Sequence, residues 1–165
     1  MELLQISNRK AKSKVGIGDN APLFSLPDIN GKVIHLKDYI GKKILVVYFY
    51  PKDETTGCIA EACTFRDRYE MFKKAEAEVI GISGDSTDSH TNFSSKYNLP
   101  FILLSDADNS VRKSFGVKAT FGIMPGRVTY VIDKKGVVRH IFVSQFNPKK
   151  HVDEALKIID EINKE

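Results

Sequence analysis

The sequence predicts an α/β domain: a mixed sheet with helices on both faces, opened by a β-hairpin and closed by an amphipathic helix. Three observations lead to that class. ILVVYFY, from Ile44 to Tyr50, is a continuous β-branched and aromatic run of the kind found in strands buried on both faces. Strand-like runs then alternate with segments of helical spacing, as expected for parallel strands joined by right-handed crossovers. Near the C-terminus, two more strand-like runs flank a short turn and add an antiparallel pair.

Taken in order, Met1 to Lys14 is polar and basic without a sustained period, so residues 1–14 are expected to be a flexible tail and residues 15–165 one domain. PLFSLPDINGKVIHL, from Pro22 to Leu36, sets Asn30-Gly31 between two short alternating segments, a hairpin signal. After the Ile44–Tyr50 strand and a polar loop, Ala62, Phe65, Tyr69 and Phe72 recur at helical spacing, which predicts one helix over 57–75. Glu78 to Asp85 reads as a second buried strand, Ser86 to Asn98 as a helix, Phe101 to Asp106 as a third strand and Asn109 to Phe115 as a helical turn. VTYVID and VVRHIFV, separated by Lys134, Lys135 and Gly136, form the late hairpin. Val152, Ala155, Leu156, Ile159 and Ile162 share one face of a last helix over 151–163. Together these elements outline a thioredoxin-like domain, a fold that leaves function open.

Charge and length exclude some functions. The net charge is +4, but Arg9, Lys10, Lys12 and Lys14 against Glu2 put +3 of it in the first fourteen residues, leaving +1 for the rest. Basic and acidic residues are interleaved there, so no nucleic-acid partner is expected. No apolar run approaches the ~20 residues needed to cross a bilayer, and the start lacks a secretory apolar stretch. A cytoplasmic protein is expected, or a plastid one if the chain is a mature form lacking its transit peptide.

The chain has two cysteines, too few for a secreted disulfide scaffold. They are either packed core residues or chemistry. Cys58 follows the central strand at the start of a helix, where unpaired N–H groups and the helix dipole favour a thiolate, the nucleophilic form. Free cysteine is also among the most buried residue types, so placement alone leaves both readings open.

The surrounding residues separate them. YFYPKDETTGC carries Pro51, Thr55 and Cys58 in a Pro-x-x-x-Thr-x-x-Cys arrangement, and here the sequence resembles the peroxiredoxins. The continuation CIAEACTFRD, with Cys63, is similar to the bacterioferritin-comigratory or Q-type subfamily, and EVIGISGD, LPFILLSD, PGRVTYVID and QFNPKKHVDEAL resemble its cyanobacterial and plastid members. The resemblance runs from about Val15 to the C-terminus. It departs at Thr56, where the subfamily usually has Pro, so the loop before Cys58 is expected to be less rigid.

The resemblance implies a thiol peroxidase acting on hydrogen peroxide and organic hydroperoxides. Cys58 would attack the terminal peroxide oxygen, Thr55 would offer its hydroxyl to that oxygen or to the thiolate, and Pro51 would shield the pocket. Arg127, in PGRVTYVID, matches the family's arginine and would favour the thiolate and the charge developing on the leaving oxygen. Glu61, one turn past Cys58, either orients Arg127 or is a solvated helix residue. Cys63 would resolve the Cys58 sulfenic acid as a disulfide, reduced in turn by thioredoxin or a related dithiol protein. A monomer is expected, with no metal, flavin or haem. Five residues of helix advance about 7.5 Å and set two Cα atoms roughly 8.6 Å apart, beyond the ~7 Å a disulfide spans, so that bond requires unwinding.

Other classes fit less well. A disulfide oxidoreductase of this fold would carry Cys-x-x-Cys, and here four residues separate the cysteines. A zinc site from Cys58, Cys63 and some of His35, His90, His140 and His151 lacks ligand spacing, so each histidine is read as a surface or packing residue. A redox-regulated binding module without peroxidase activity is the non-enzymatic alternative.

Overall fold

The computed structural model describes residues 14–119 and 122–165, so the expected tail lies, apart from Lys14, outside the described residues. The opening hairpin pairs β1 (Ser25–Pro27) with β2 (Val33–His35). Between them the Asp28 carboxylate accepts from the amides of Asn30 at 2.9 Å and Lys32 at 3.0 Å, and Gly31 takes the left-handed conformation at φ +75°.

The main sheet is built around β3 (Ile44–Phe49), every residue of which is buried. β4 (Ala77–Ser83) lies parallel to β3, and β5 (Ile102–Ser105) parallel to β4. On the other side, β6 (Val128–Ile132) runs antiparallel to β3, and β7 (Val138–Val143) antiparallel to β6. The order β5-β4-β3-β6-β7 is the expected mixed sheet, with the longest apolar run at its centre.

Side-chain alternation on β3 divides the core in two. Ile44, Val46 and Tyr48 face a layer made by α1 (Thr56–Asp67), α2 (Tyr69–Lys74), α3 (Thr87–Tyr97) and α5 (Pro148–Asn163). Leu45, Val47 and Phe49 face α4 (Ser110–Phe115) and the segment around the first hairpin, through Phe24, Leu36 and Phe115. α3 is well terminated: the Ser86 hydroxyl accepts from the Ser89 amide at 3.1 Å, and Asn98 closes it in the left-handed region.

Two boundaries differ from expectation. The single helix expected over 57–75 is broken at Arg68, which leaves helical geometry at φ −107° and ψ 7°. The break lets the Tyr69 hydroxyl reach the Glu78 carboxylate at 2.9 Å, while Phe65 and Phe72 on either side stay buried. Apolar periodicity runs straight across, so it carries no sign of the break. α5 starts at Pro148, three residues before expectation, because proline suits a first helical position whose N–H has no intrahelical partner.

Candidate active site

β3 delivers the chain to the site. Tyr50 still donates its amide to Ile82, after which Pro51 ends the ladder and a short loop leads to α1. Thr55 is extended at φ −83° and ψ 149°, and its carbonyl accepts the first intrahelical bond, from Ile59 at 2.9 Å. Cys58 is thus the third residue of α1, in the turn whose amides have no intrahelical acceptor. Its thiol is buried, 1% exposed.

Arg127 arrives from just before β6, with its guanidinium held on several sides. Nη1 donates to Glu61 Oε1 at 2.8 Å, Nε donates to the Gln145 carbonyl at 3.2 Å, and Nη2 points at Cys58 Sγ from 3.4 Å. Gly57 makes that approach possible: a Cβ there would lie 2.8 Å from Arg127 Nη2. The Thr55 hydroxyl donates to the Lys52 carbonyl at 2.8 Å, so its proton is engaged there and its oxygen is left as an acceptor.

Glu61 is fully buried, which resolves its two sequence readings in favour of contact with Arg127. Burial pushes its carboxyl up to about 8, against the pull of the Arg127 charge. Its Oε2 has no hydrogen-bond partner and lies 3.6 Å from His151 Nδ1. Burial pushes His151 down to about 4, with the Ser144 carbonyl opposing and the Arg127 charge adding to the fall. Burial thus favours the neutral form of both groups. His151 Nε2 then donates to the Ser144 carbonyl at 2.7 Å, and Nδ1 accepts from the Thr129 hydroxyl at 2.8 Å. A neutral Glu61 keeps a carbonyl oxygen for Arg127 without cancelling its charge, so the cation is left for Cys58.

A second buried network anchors the loop before Cys58. Asp53 accepts from the Tyr50 hydroxyl at 2.6 Å, from Ser89 at 2.9 Å and from His90 Nδ1 at 2.7 Å. His90 Nε2 lies 2.9 Å from the Leu104 carbonyl, so both ring nitrogens face acceptors. The Asp53 amide in turn donates to Asp85 at 2.8 Å. Asp53, Asp85 and His90 lie close enough to share a cation, but they are hydrogen-bonded into this network as they stand.

The site opens into a cleft of about 510 Å³ lined by Pro51, Thr55, Gly57, Met124, Arg127 and Phe146. Three of the five residues singled out from the sequence, Pro51, Thr55 and Arg127, therefore surround one opening, with Cys58 behind it. Cys63 is partly buried one and a half turns further along the same unbroken helix, and both thiols are free.

The AhpC/TSA family model matches residues 17–141. The chain is a peroxiredoxin. Among its relatives, chloroplastic peroxiredoxin Q of Arabidopsis thaliana is 59% identical over 148 residues, 89% of this chain and 68% of that protein. The corresponding protein of Populus jackii is 56% identical over 151 residues, 91% of this chain and 70% of its own. Of the solved structures, peroxidoxin BcpB from Mycobacterium tuberculosis superposes with a TM-score of 0.82 at 35% identity, over 88% of this chain and 97% of that one. Peroxiredoxin Q of Xanthomonas campestris gives 0.77 at 30% identity, over 85% and 91%. This peroxiredoxin is a thiol-dependent peroxidase with a thioredoxin fold, of the Q-type group that the motifs around Cys58 resemble.

Sequence reasoning missed several residues that build the site. For His90 and His151 the structure selects packing over the surface, since each is fully buried, and it adds hydrogen bonds through both ring nitrogens that the sequence does not show. Asp53 and Gln145 received no role at all. None has a spacing signal, because each partner comes from a different element. The sequence does carry one hint for Asp53, its position inside the loop that leads to Cys58.

Proposed function

We propose that Cys58 is the peroxidatic nucleophile and that Arg127, Thr55 and Pro51 serve it, as the motif implies. The Cys58 thiolate attacks the terminal oxygen of a hydroperoxide, the O–O bond breaks, and the leaving oxygen takes a proton to depart as water or an alcohol. Cys58 is left as a sulfenic acid. The Cys63 thiol then attacks the Cys58 sulfur and releases water, forming a disulfide. Thioredoxin or a similar dithiol protein returns both to thiols. The observation that carries this reading is the Arg127 Nη2 to Cys58 Sγ contact at 3.4 Å, made by a guanidinium whose other nitrogens are held elsewhere.

The cleft supports organic hydroperoxides beside hydrogen peroxide, because Met124, Pro125, Phe146 and Pro148 give an alkyl group an apolar wall beside Arg127. One of the Xanthomonas campestris structures similar to this chain is described by its alkyl peroxide reduction activity. Both thiols lie on one helix, so a monomer suffices for the cycle. The cycle also needs a compartment that supplies dithiols, as a cytoplasm or a plastid interior does, and the chloroplastic relatives favour the plastid type of reductant.

A thioredoxin-coupled assay with hydrogen peroxide and an alkyl hydroperoxide tests the assignment. Cys58→Ser is expected to abolish turnover, and Cys63→Ser to consume about one equivalent of peroxide and stop. Equal residual activity in the two variants would show that their roles are not those assigned.

A further inference from the structure

The β3–β6 ladder stops at the pair Phe49 and Val128. Beyond it the two strands lead directly into the site, since Tyr50 precedes Pro51 and Gly126 precedes Arg127. Their carbonyls need donors, and two acceptors cannot satisfy each other. Both are met by one side chain from outside the sheet. Arg112 on α4 donates from Nη1 to the Gly126 carbonyl at 2.7 Å and from Nη2 to the Tyr50 carbonyl at 2.8 Å.

This guanidinium is itself firmly seated. Arg112 is 7% exposed, its Cζ lies 5.6 Å from the centre of the Phe49 ring, and its amide donates to Asp106 at 2.9 Å. A planar fork spanning two carbonyls fixes their separation, which a single ammonium cannot do. The separation matters because Cys58 hangs from one strand and Arg127 from the other. Their contact at 3.4 Å is an ordinary hydrogen-bond distance for a sulfur acceptor, and a relative shift of the two segments lengthens it and turns the guanidinium away from the thiol.

We propose that Arg112 is a positioning residue for peroxide reduction: it clamps the Cys58 loop to the Arg127 segment where the sheet ends, and so sets the register of nucleophile and cation. It touches neither the thiol nor, in this arrangement, the cleft. The proposal rests on Cys58 as the nucleophile, and its test keeps the two separable.

The test compares two reactions of the reduced protein at a pH where thiolate absorbance shows Cys58 fully ionised in every variant: the rate constant with hydrogen peroxide, which needs Arg127 in place, and that with iodoacetamide, which needs only an accessible thiolate. In Arg112→Lys the charge stays and the fork is lost. The peroxide rate is expected to fall by about tenfold or more while alkylation changes by less than about threefold. Loss of both rates in proportion, or of neither, would overturn the clamp. If the lysine variant does not fold, Phe49→Leu keeps both donors, removes the ring under them, and must show the same selective loss of peroxide reactivity. Peroxide consumption by unaltered protein is the control: its absence would instead sink the Cys58 assignment.

Discussion

Replacing Glu61 with glutamine tests the electrostatics of the site most directly. A buried carboxyl raised from 4.5 to about 8 makes the folded state hold a proton that the unfolded chain releases. Its contribution to stability is fully present below the unfolded value and is lost as pH rises through the folded one. Each pH unit between the two values is worth about 1.36 kcal/mol, so the whole loss is on the order of 5 kcal/mol. Glutamine keeps the carbonyl that accepts from Arg127 but has no proton to lose. Urea unfolding of both reduced proteins at about pH 5, 7 and 9 should therefore show wild type losing about 4 kcal/mol relative to Glu61→Gln across that range. Other groups titrate in both proteins and cancel in the difference. Peroxide reduction should follow the same curve: near neutral pH the two rates are similar, and above about pH 8 wild type falls behind as ionised Glu61 cancels the Arg127 charge. Parallel stability curves, or a glutamine variant weaker at high pH, would mean that the Arg127 pairing overcomes burial and that the carboxylate is charged throughout.

Further outcomes follow from the first turn of α1. Gly57→Ala should slow peroxide reduction by about tenfold and lower stability, because the new Cβ displaces Arg127 Nη2 and disturbs a buried guanidinium bonded to Glu61 and Gln145, which outweighs the ~1 kcal/mol that alanine's helix propensity offers. Unchanged rates by stopped flow would mean that the guanidinium does not act on Cys58. Thr56→Pro suits the first helical position, and Thr55 before it already has the extended geometry that a following proline requires. Thermal unfolding of the reduced protein should show a gain of about 0.5 kcal/mol, with slower disulfide formation in a quenched thiol assay; faster formation would contradict the need for unwinding. Amide hydrogen exchange on the two redox forms should show Ile59 to Cys63 protected when reduced and open when oxidised. Equal protection of Ile59 to Cys63 in both would mean that an external thiol resolves Cys58.

What could be read from the sequence follows a physical division. Ile44 to Phe49 declared itself because a strand buried on both faces needs an unbroken apolar run, and its neighbours followed from local alternation and turn residues. The placement of Cys58 was equally local, a matter of a strand, a proline and a helix start. Arg127 was reached only through resemblance, since nothing in PGRVTYVID itself points to a thiol 69 residues earlier. The buried roles of His90, His151 and Arg112 had no local sign either. A histidine in a polar stretch of helix reads as solvated until another element closes over it. Arg68 was hidden for the opposite reason: the periodicity that announces a helix continued through the point where the helix stops.

Because Cys58 and Arg127 are brought together by tertiary structure, the thiol's reactivity is a property the chain acquires late. During synthesis Cys58 leaves the ribosome well before β6, and until β6 docks against β3 it lacks the Arg127 contact and is an ordinary cysteine beside an incomplete sheet. The same logic runs in reverse when the finished protein is damaged. Any lesion that separates β6 from β3 removes the Arg127 contact from Cys58 along with the fold.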